Sequence, residues 1–378
     1  MNILLIGEYS RLHNSLKEGL EKLGHNVVIL GFKDGFKDFP VDFPLEKKLN
    51  TPFLYLLNRV IYRFTGFNIN SYLTYLQFKK NEKHFVGFDV VQLINENSFY
   101  CGLHYEKKIL DFVFKNNRKV FLLCCGNDYL TVKYWFQNPK VKSLVQPYFE
   151  GKISQKDFQN VLQYKKNDFQ KLHEFIFENI CGVIASDLDY HIPMQNHSKY
   201  LGLIPNPINT DILAFRPIQI HNKVIIFHGI NLDNYYKKGN DFFEKALEII
   251  KNKYQERVEI ITTKSLPYQE YIQLYNKAHI ILDQVYAHDQ GYNALEAMAK
   301  GKVVFTGAET VFTEYYNLIE KPVVNAIPEV DTIVNEISFL IENQSEIPKI
   351  GVKARAFIEK EHDYIKIARK YLETWSKF

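Results

Sequence analysis

The sequence predicts an α/β protein with two successive parallel β-sheets, each covered by helices on both faces. The first observation is that two short apolar runs, Asn2–Gly7 and Asn26–Leu30, flank a helical pattern over Leu16–Leu23. Tight loops between such elements are typical of parallel strand–helix–strand units. The second observation is that the same alternation restarts after Pro205. The third is the length, because 378 residues exceed one ordinary core and suit two domains of roughly 150–200 residues each.

The remaining elements follow from apolar runs that are bounded by polar or glycine-containing turns. The further predicted strands are Asp89–Ile94, Lys119–Cys124, Gly182–Ala185, Lys223–Phe227, Val258–Thr262, Ile280–Val285, Lys302–Thr306 and Pro322–Asn325. The predicted helices between the later strands are Asn240–Lys251, Gln269–Lys277 and Ala294–Lys300. This pattern puts the division between the two domains near residue 205, within Ile204–Thr210.

The composition restricts the classes of function. Apolar residues make up 46% and charged residues 24% of the chain, which is the balance of a globular protein. With 47 basic and 43 acidic residues the net charge is +4, too weak a bias to predict a nucleic-acid partner. Aromatic residues are unusually frequent, at 15%.

The sequence also indicates a compartment. The apolar run Asn2–Gly7 has no basic region before it and is too short for a signal peptide, and no stretch approaches the roughly 20 apolar residues that span a bilayer. The four cysteines have no metal-binding spacing and fit buried thiols in a reducing compartment. We therefore expect a cytoplasmic protein, attached at most peripherally to the inner face of a membrane.

Leu45–Phe85 differs from the rest of the chain. It mixes aliphatic and aromatic residues with seven basic residues and only two acidic ones, and the basic residues are Lys47, Lys48, Arg59, Arg63, Lys79, Lys80 and Lys83. Such a segment can lie in a membrane interface or grip an anionic acceptor. It can equally be an inserted helical pair on the first sheet with a solvated basic edge. Both interpretations stay open at this point.

The stretch from His288 to Gly301 carries the strongest local signal. It follows the strand Ile280–Val285, so Gly291 and Asn293 lie where a strand leads into a helix. In an open α/β sheet that edge binds ligands, and free N–H groups at a helix start attract phosphate. Asn293 and Glu296 also have the spacing of a capping box, which would make them purely structural.

A second stretch lies at the same edge of the second sheet. The strand ending at Phe227 leads through Gly229 and Asn231 to Lys237 and Lys238, just before a helix. A lysine in this place can neutralise a diphosphate as a compact charge. Taken alone, the pair also fits a solvated surface loop.

Together these stretches resemble the retaining nucleotide-sugar glycosyltransferases of family 4 (group 1). Four pieces are similar in order, namely IPNPINT at Ile204–Thr210, KG at Lys238-Gly239, SLPYQEYIQLYNKAHI at Ser265–Ile280 and GYNALEAMAKG at Gly291–Gly301. The resemblance implies the glycosyltransferase B fold, in which two Rossmann-like domains face each other across a cleft. It also implies that a terminal helix, Ala354–Trp375, crosses back onto the first domain. The expected parts are an acceptor-side domain at 1–204, a donor-binding domain at 205–355 and the terminal helix at 356–378.

The resemblance implies roles for residues of the second domain. Glu296 matches the glutamate that holds the donor ribose, Lys238 matches the diphosphate lysine, and the backbone of Gly291, Tyr292 and Asn293 would face the diphosphate and the hexose. Ser265 and Leu266 lie in the stretch whose loop holds the base.

The sequence departs from the family pattern at three places. His288 stands where the first glutamate of the E-x7-E motif is expected, and an upstream arginine is missing, for which Asn231 and Lys237 can compensate. The first-domain histidine of the family has no clear counterpart. Asp128, after the strand ending at Cys125, is our candidate for contact with the reacting sugar.

The first loop of the chain is expected on the acceptor side. It lacks the GxGxxG pattern of dinucleotide-dependent oxidoreductases, and it offers Ser10, Arg11 and His13 to an acceptor or donor. No metal and no cofactor are implied. The Asp187-Leu188-Asp189 sequence follows a strand at a predicted helix start, where aspartates act as caps.

The sequence thus predicts a retaining, metal-independent glycosyltransferase. It would move a hexose from a UDP- or GDP-sugar to a glycan or lipid-linked acceptor in surface polysaccharide or glycoconjugate biosynthesis. Two alternatives remain, a non-catalytic binding subunit with the same fold and a nucleotide-sugar epimerase.

Overall fold

The structure is a computed structural model that describes residues 1–33, 38–49, 51–264, 266 and 268–378. Its two parallel sheets, with helices on both faces, confirm the predicted fold class. None of the helices in these ranges is long and apolar enough to cross a bilayer.

The first sheet has seven strands, all parallel, in the order β3-β2-β1-β4-β5-β6-β7. The strands are β1 (Asn2–Ile6), β2 (Asn26–Gly31), β3 (Phe43–Pro44), β4 (Val90–Leu93), β5 (Val120–Cys124), β6 (Gly182–Ala185) and β7 (Tyr200–Leu203). The central strands are continuous apolar runs, as is typical of a sheet buried on both faces.

Nine helices surround this sheet in the described part of the first half. They are α1 (Leu12–Lys22), α2 (Pro52–Thr65), α3 (Ile69–Asn81), α4 (Leu103–Asn116), α5 (Tyr129–Gln137), α6 (Gln146–Phe149), α7 (Gln159–Leu162), α8 (Asn167–Asn179) and α9 (Leu188–Met194). The helical pair that one interpretation of Leu45–Phe85 predicts is present as α2 and α3.

The second sheet has five parallel strands in the order β12-β11-β10-β8-β9. The strands are β8 (Val224–Ile230), β9 (Val258–Lys264), β10 (Ile280–Leu282), β11 (Val303–Thr306) and β12 (Val324–Asn325). The helices that follow them are α10 (Asn240–Tyr254), α11 (Tyr268–Lys277), α12 (Tyr292–Ala299), α13 (Thr310–Tyr315) and α14 (Val330–Glu342).

The sequence pattern misses two edge strands and misplaces several strand ends, since β8 extends to Ile230 and β9 to Lys264, not to Phe227 and Thr262. β3 is only two residues long and contains a proline, and β7 is half-buried along its length, so neither forms a clear apolar run. β10 ends at Leu282, not at Val285, because Asp283 and Gln284 begin the following loop.

The end of the chain crosses back onto the first sheet, as expected, but it is not one helix. α15 (Glu346–Phe357) leads into a π-helical turn, Ile358–His362, and then α16 (Tyr364–Ser376). The break coincides with pairing to the segment that joins the two sheets, where the Ile208 N–H donates to the His362 carbonyl over 2.7 Å.

α16 packs against α1 at very close range. A Cβ atom on Gly19 of α1 would lie 2.4 Å from the carbonyl oxygen of Tyr364 and 2.9 Å from the Cβ of Ala368. At the other end of α16, the indole of Trp375 donates to Gln92, a buried amide on β4, over 3.2 Å. The contact satisfies a polar side chain inside an otherwise apolar strand.

Because of this close approach, we expect Gly19→Ala to destabilise the protein, although the same substitution usually stabilises a helix. Alanine inside a helix is normally more stable than glycine by about 0.5–1 kcal/mol. Here the added methyl overpacks the α1–α16 contact, so we expect a net loss of about 1–2 kcal/mol in the free energy of unfolding. Denaturant unfolding measures it, with Lys22→Ala on the exposed side of α1 as the control. A more stable Gly19→Ala variant would contradict the packing described here.

Candidate active site

The carboxyl ends of the two sheets face each other, and their loops form the candidate site. β8 and β10 are neighbours in the second sheet, and they lead into residues 231–239 and 283–291. Opposite them lie the loops that follow β1, β5 and β6 of the first sheet. Ligands of open α/β sheets bind at this edge.

The loop after β8 is held in place by a buried histidine. His228 donates from Nε2 to the side chain of Asn240 over 2.8 Å, and Asn240 in turn donates to the carbonyl of Tyr235. Burial lowers the pKa of His228, so its ring is neutral at pH 7. These contacts fix the backbone just before Lys238.

Gly239 explains how Lys238 comes so close to the neighbouring loop. Its φ angle is +73°, and a Cβ there would lie 2.2 Å from a methyl carbon of Val285. The Val285 N–H also donates to the Lys238 carbonyl over 3.1 Å. A side chain at this position would therefore be strained and would push the two loops apart.

Lys238 forms an ion pair with a buried aspartate beside the start of α12. Its Nζ lies 2.7 Å from Oδ1 of Asp283, whose side chain is almost fully buried. The other carboxylate oxygen lies 3.9 Å from the position that a Cβ of Gly291 would occupy. The lysine charge and the N-terminus of α12 are thus neighbours, an arrangement that suits an anionic ligand.

α12 begins two residues earlier than a capping box at Asn293 and Glu296 requires. Gly291 is the N-cap, so Asn293 lies inside the first turn, and the capping-box interpretation is wrong. Tyr271 and Tyr275 hold Asn293 from the neighbouring helix. Tyr271 donates to its side-chain oxygen over 3.3 Å, and Tyr275 donates to its carbonyl over 2.8 Å.

Tyr292 links the second sheet to the first, and its side chain is buried. Its hydroxyl lies 2.6 Å from Oγ of Ser15 in α1 and donates to the carbonyl of Pro207 over 2.9 Å. The carbonyl of Arg11 is 3.4 Å away. The structure therefore brings the predicted donor-side motif against the predicted acceptor-side loop.

The acceptor-side residues Ser10, Arg11 and His13 lie in and just after a tight turn. Ser10 and Arg11 both have positive φ angles. Arg11 binds Glu18 over 2.5 Å, and Glu18 accepts from Asn209 over 2.6 Å, so this loop is tied to the segment between the sheets. His13 is buried, its Nδ1 bonds the Gly7 carbonyl, and burial lowers its pKa to about 4.

Asp128 lies at the edge of the first sheet but has a capping role. It is the N-cap of α5, and it accepts from the Thr131 N–H over 2.7 Å and from the Thr131 hydroxyl over 3.0 Å. The Cys124 thiol is a further partner. Burial, together with the nearby Glu96 carboxylate, raises the pKa of Asp128 to about 6. Its hydrogen bonds are directed into the domain.

The other predicted donor-side residues have varied settings. Asn231 is exposed, and its side chain accepts from the Asp233 N–H across a short turn. Lys237 is half-buried, which lowers its pKa. Glu296 and Leu266 are also half-buried. Ser265 lies outside the described residues.

The backbone N–H of His288 contacts the first half of the protein, not the loop that carries Lys238. Its N–H donates to the Asp189 carboxylate of the first half over 3.2 Å. Burial lowers the pKa of its ring, with the Lys142 charge as a second cause. His288 therefore lies where the loops after β6 and β10 meet, which we call the seam between the two halves.

Three aspartates meet at that seam. Asp187, Asp189 and Asp289 each offer a carboxylate oxygen within 4.8 Å of the others, and the Leu188 N–H donates to Asp289 over 3.0 Å. Asp187 occupies the N-cap position of α9, as the sequence predicts, but its side chain makes no capping hydrogen bond to the described residues. Burial raises the pKa of Asp187 to about 7, and burial with mutual repulsion raises those of Asp189 and Asp289. The cluster therefore holds protons near neutral pH.

Sequence reasoning missed Asp283 and the meeting of the three aspartates. Asp283 was hidden inside the predicted strand Ile280–Val285, although an acidic residue directly after an apolar run is a signal for a loop at a ligand-binding edge. The aspartate cluster brings together residues about one hundred positions apart, so no local sequence pattern predicts it.

Residues 236–373 match a family model described as glycosyl transferase-like. No curated protein is significantly similar in sequence. A sucrose-phosphate synthase from Thermosynechococcus elongatus has a similar structure, with a TM-score of 0.63, 15% identity, and coverage of 100% of this chain and 98% of that one.

Two further solved structures cover the full length of both chains. HepE from Anabaena, in complex with UDP and glucose, has a TM-score of 0.58 and 13% identity. UDP-GlcNAc 2-epimerase from Neisseria meningitidis, bound to UDP-GlcNAc, has a TM-score of 0.50 and 14% identity. At these identities the likeness defines the fold, which is the two-domain glycosyltransferase B fold.

The aspartate cluster predicts a pH-dependent stability. An unfolded aspartate loses its proton near pH 4, whereas the cluster keeps protons until about pH 7, so the folded state binds more protons in that interval and stability falls as pH rises through it. Asp289→Asn can still accept from Leu188 and removes one charge. We expect this variant to lose less stability than the parent between about pH 5 and pH 8, by about 1 kcal/mol or more.

Calorimetric thermal unfolding across this pH range tests the prediction. Asp331→Asn, which removes an exposed carboxylate on α14, is the control and should keep the parent profile. Identical pH profiles for the parent and Asp289→Asn would show that the seam does not hold the shared protons.

Proposed function

We propose that this protein is a retaining glycosyltransferase that uses a UDP- or GDP-sugar as donor and a glycan or lipid-linked molecule as acceptor. The second half, 205–355, binds the donor, and the first half, 1–204, binds the acceptor, with 356–378 joining them. The reaction requires no metal or cofactor. It belongs to surface polysaccharide or glycoconjugate synthesis at the cytoplasmic side of a membrane.

One observation carries the proposal, namely the position of Lys238 beside the N-terminus of α12. Asp283 holds the ammonium group at 2.7 Å, and this leaves further ammonium N–H donors for a ligand. The first-turn N–H groups of α12, which have no partners within the helix, lie next to it. A diphosphate fits between a fixed lysine charge and such a helix end.

The neighbouring structures support a nucleotide-sugar ligand. HepE binds UDP and glucose, and the Neisseria meningitidis epimerase binds UDP-GlcNAc, on folds that match the whole of this chain. In our proposal Glu296, in the second turn of α12, accepts from the ribose hydroxyls. Asn231 and Lys237 contact the phosphates from the loop after β8, and Ser265 with Leu266 borders the base.

The chemistry requires charge stabilisation more than acid–base catalysis. As the bond between the sugar and the diphosphate breaks, negative charge grows on the diphosphate, and Lys238 and the α12 N–H groups stabilise it. The departing diphosphate oxygen takes the proton of the attacking acceptor hydroxyl. The same face of the sugar is then used by leaving group and acceptor, which retains the configuration. Asp128 needs no proton-transfer role in this scheme.

Donor binding gives the first test. Calorimetric titration with UDP, GDP and their glucose and mannose conjugates should show binding of at least one pair. Lys238→Ala should weaken that binding about 10-fold or more, because a charge-assisted contact contributes roughly 1.5–3 kcal/mol. Lys251→Ala, an exposed lysine on α10, is the matched control and should bind like the parent.

Removing Lys238 also leaves Asp283 buried without its ion-pair partner, so stability must be separated from binding. The double variant Lys238→Met/Asp283→Asn removes both charges and should regain thermal stability relative to Lys238→Met. It should still bind the nucleotide weakly. Recovery of binding in the double variant would mean that Lys238 does not touch the diphosphate.

Product analysis distinguishes transfer from the alternatives. Nucleotide release from the sugar donor should survive EDTA and should fall at least 10-fold in Glu296→Ala. Proton NMR of the product should show the anomeric configuration of the donor. A sugar that stays on its nucleotide but changes configuration would identify an epimerase, and binding without any turnover would identify a non-catalytic subunit.

A further inference from the structure

Helix α2 exposes most of its large apolar side chains. It runs over 14 residues, all described, and the one that is buried is polar, Asn58. Leu54 and Ile61, one turn on either side of it, are half-buried. The other large apolar side chains are exposed, and Phe53 and Phe64 are 74% and 81% exposed. A surface helix of a globular protein normally has the opposite arrangement. A contiguous apolar face of this kind marks an interaction surface.

Polar contacts fix α2 with this face outward. Asn58 accepts from the Ile69 N–H over 2.8 Å and donates to Asn68, which caps α3. α3 is itself anchored in the core through Phe78, which stacks on Phe85. The orientation of α2 is therefore specified by a side-chain amide, so its exposed face is a built feature.

The exposed face has two zones. At about 100° per residue, Phe53, Leu57, Val60 and Phe64 follow one another along one stripe of the helix. Arg59 and Arg63, one turn apart, flank that stripe, and the Arg59 guanidinium lies 6.0 Å from the ring of Tyr55. An apolar stripe bordered by arginine and tyrosine suits the boundary between acyl chains and headgroups.

The charge of the helical pair favours an anionic lipid surface over a second copy of this chain as the partner of the exposed face. Residues 51–81 contain four basic residues and no acidic one. A second copy of this chain, docked through the same face, would bring Arg59 and Arg63 against their equivalents with no carboxylate between them. A surface of anionic lipid phosphates complements the same charges.

The helical pair lies at the edge of the first sheet that faces the candidate active site. Ser71 of α3 accepts from Gly102, in the loop that follows β4, over 2.8 Å. In the same loop, Tyr100 lies with its ring centroid 5.8 Å from that of Tyr9, which belongs to the first loop, and the Lys47 ammonium is 5.6 Å from the Tyr100 ring. A bilayer on α2 would thus lie beside the acceptor side.

We propose that α2 lies in the interface of an anionic lipid bilayer, with Phe53, Leu57, Val60 and Phe64 at the acyl boundary and Arg59 and Arg63 on lipid phosphates. This contact presents the active site to an acceptor carried by a lipid. Only the choice of a lipid-linked acceptor rests on the proposed function, because membrane binding itself needs no nucleotide sugar.

Sedimentation with vesicles tests the proposal on the full chain. The parent should bind vesicles of phosphatidylcholine with about 30% phosphatidylglycerol, bind pure phosphatidylcholine far less, and lose binding as NaCl rises from about 0.1 to about 1 M. Phe53→Ser/Phe64→Ser should weaken binding at least 10-fold. Arg59→Gln/Arg63→Gln should weaken it about 25-fold, at about fivefold for each arginine.

The matched control is Phe339→Ser/Val352→Ser, which removes exposed apolar side chains from α14 and α15 and should bind like the parent. All variants should keep the parent circular dichroism and UDP affinity. The proposal is overturned if anionic vesicles do not bind the parent, or if both α2 variants bind as well as it does. It is also overturned if ultracentrifugation shows a parent dimer that Phe53→Ser/Phe64→Ser dissociates.

Discussion

The hydroxyl of Tyr292 is the contact on which the relation between the two halves depends. Tyr292 lies in the first turn of α12, and its hydroxyl contacts the Ser15 hydroxyl of α1 and the Pro207 carbonyl. All three residues are buried. Because a buried hydroxyl without partners is costly, the contact strongly favours one placement of α12 against the first sheet. The same turn of α12 offers its N–H groups to the candidate diphosphate site. One residue thereby fixes the candidate diphosphate site relative to the first loop of the chain.

Around this contact the protein concentrates buried charge. Asp283 is almost fully buried beside Lys238, and Asp187, Asp189 and Asp289 share protons at the seam. Such groups weaken a fold unless they are paired, and a folded protein rarely collects them without a role. We attribute the first group to diphosphate binding. The second makes the stability of the folded state sensitive to pH, because each lost proton adds repulsion within the cluster.

The sequence predicts the fold well because both sheets are buried on two faces. Their strands, such as Val120–Cys124, are continuous apolar runs, and the loops after them carry glycines at the expected turns. It predicts less at the edges, where β3 and β7 lack such runs. The sequence also does not predict the break before α16, because that break comes from pairing with Ile208, a contact between distant segments.

In the candidate site, too, local motifs could be predicted from the sequence and contacts between distant segments could not. Lys238 and Gly291 were predicted from local motifs, and the structure brings their neighbourhoods together. Asp283, the aspartate cluster and the inward amide of Asn58 depend on contacts that a single sequence does not display. Exposure of the apolar face of α2 is likewise a property of packing. The structure shows the helical pair and an outward apolar stripe, and what contacts that stripe stays a proposal.

A crystal structure of the protein with bound UDP tests the central claim most directly. Our account places the diphosphate between Nζ of Lys238 and the first-turn N–H groups of α12, within about 3 Å of both. A nucleotide bound elsewhere, for example in the open groove of about 1090 Å³ between α10 and the edge strand β9, would contradict it.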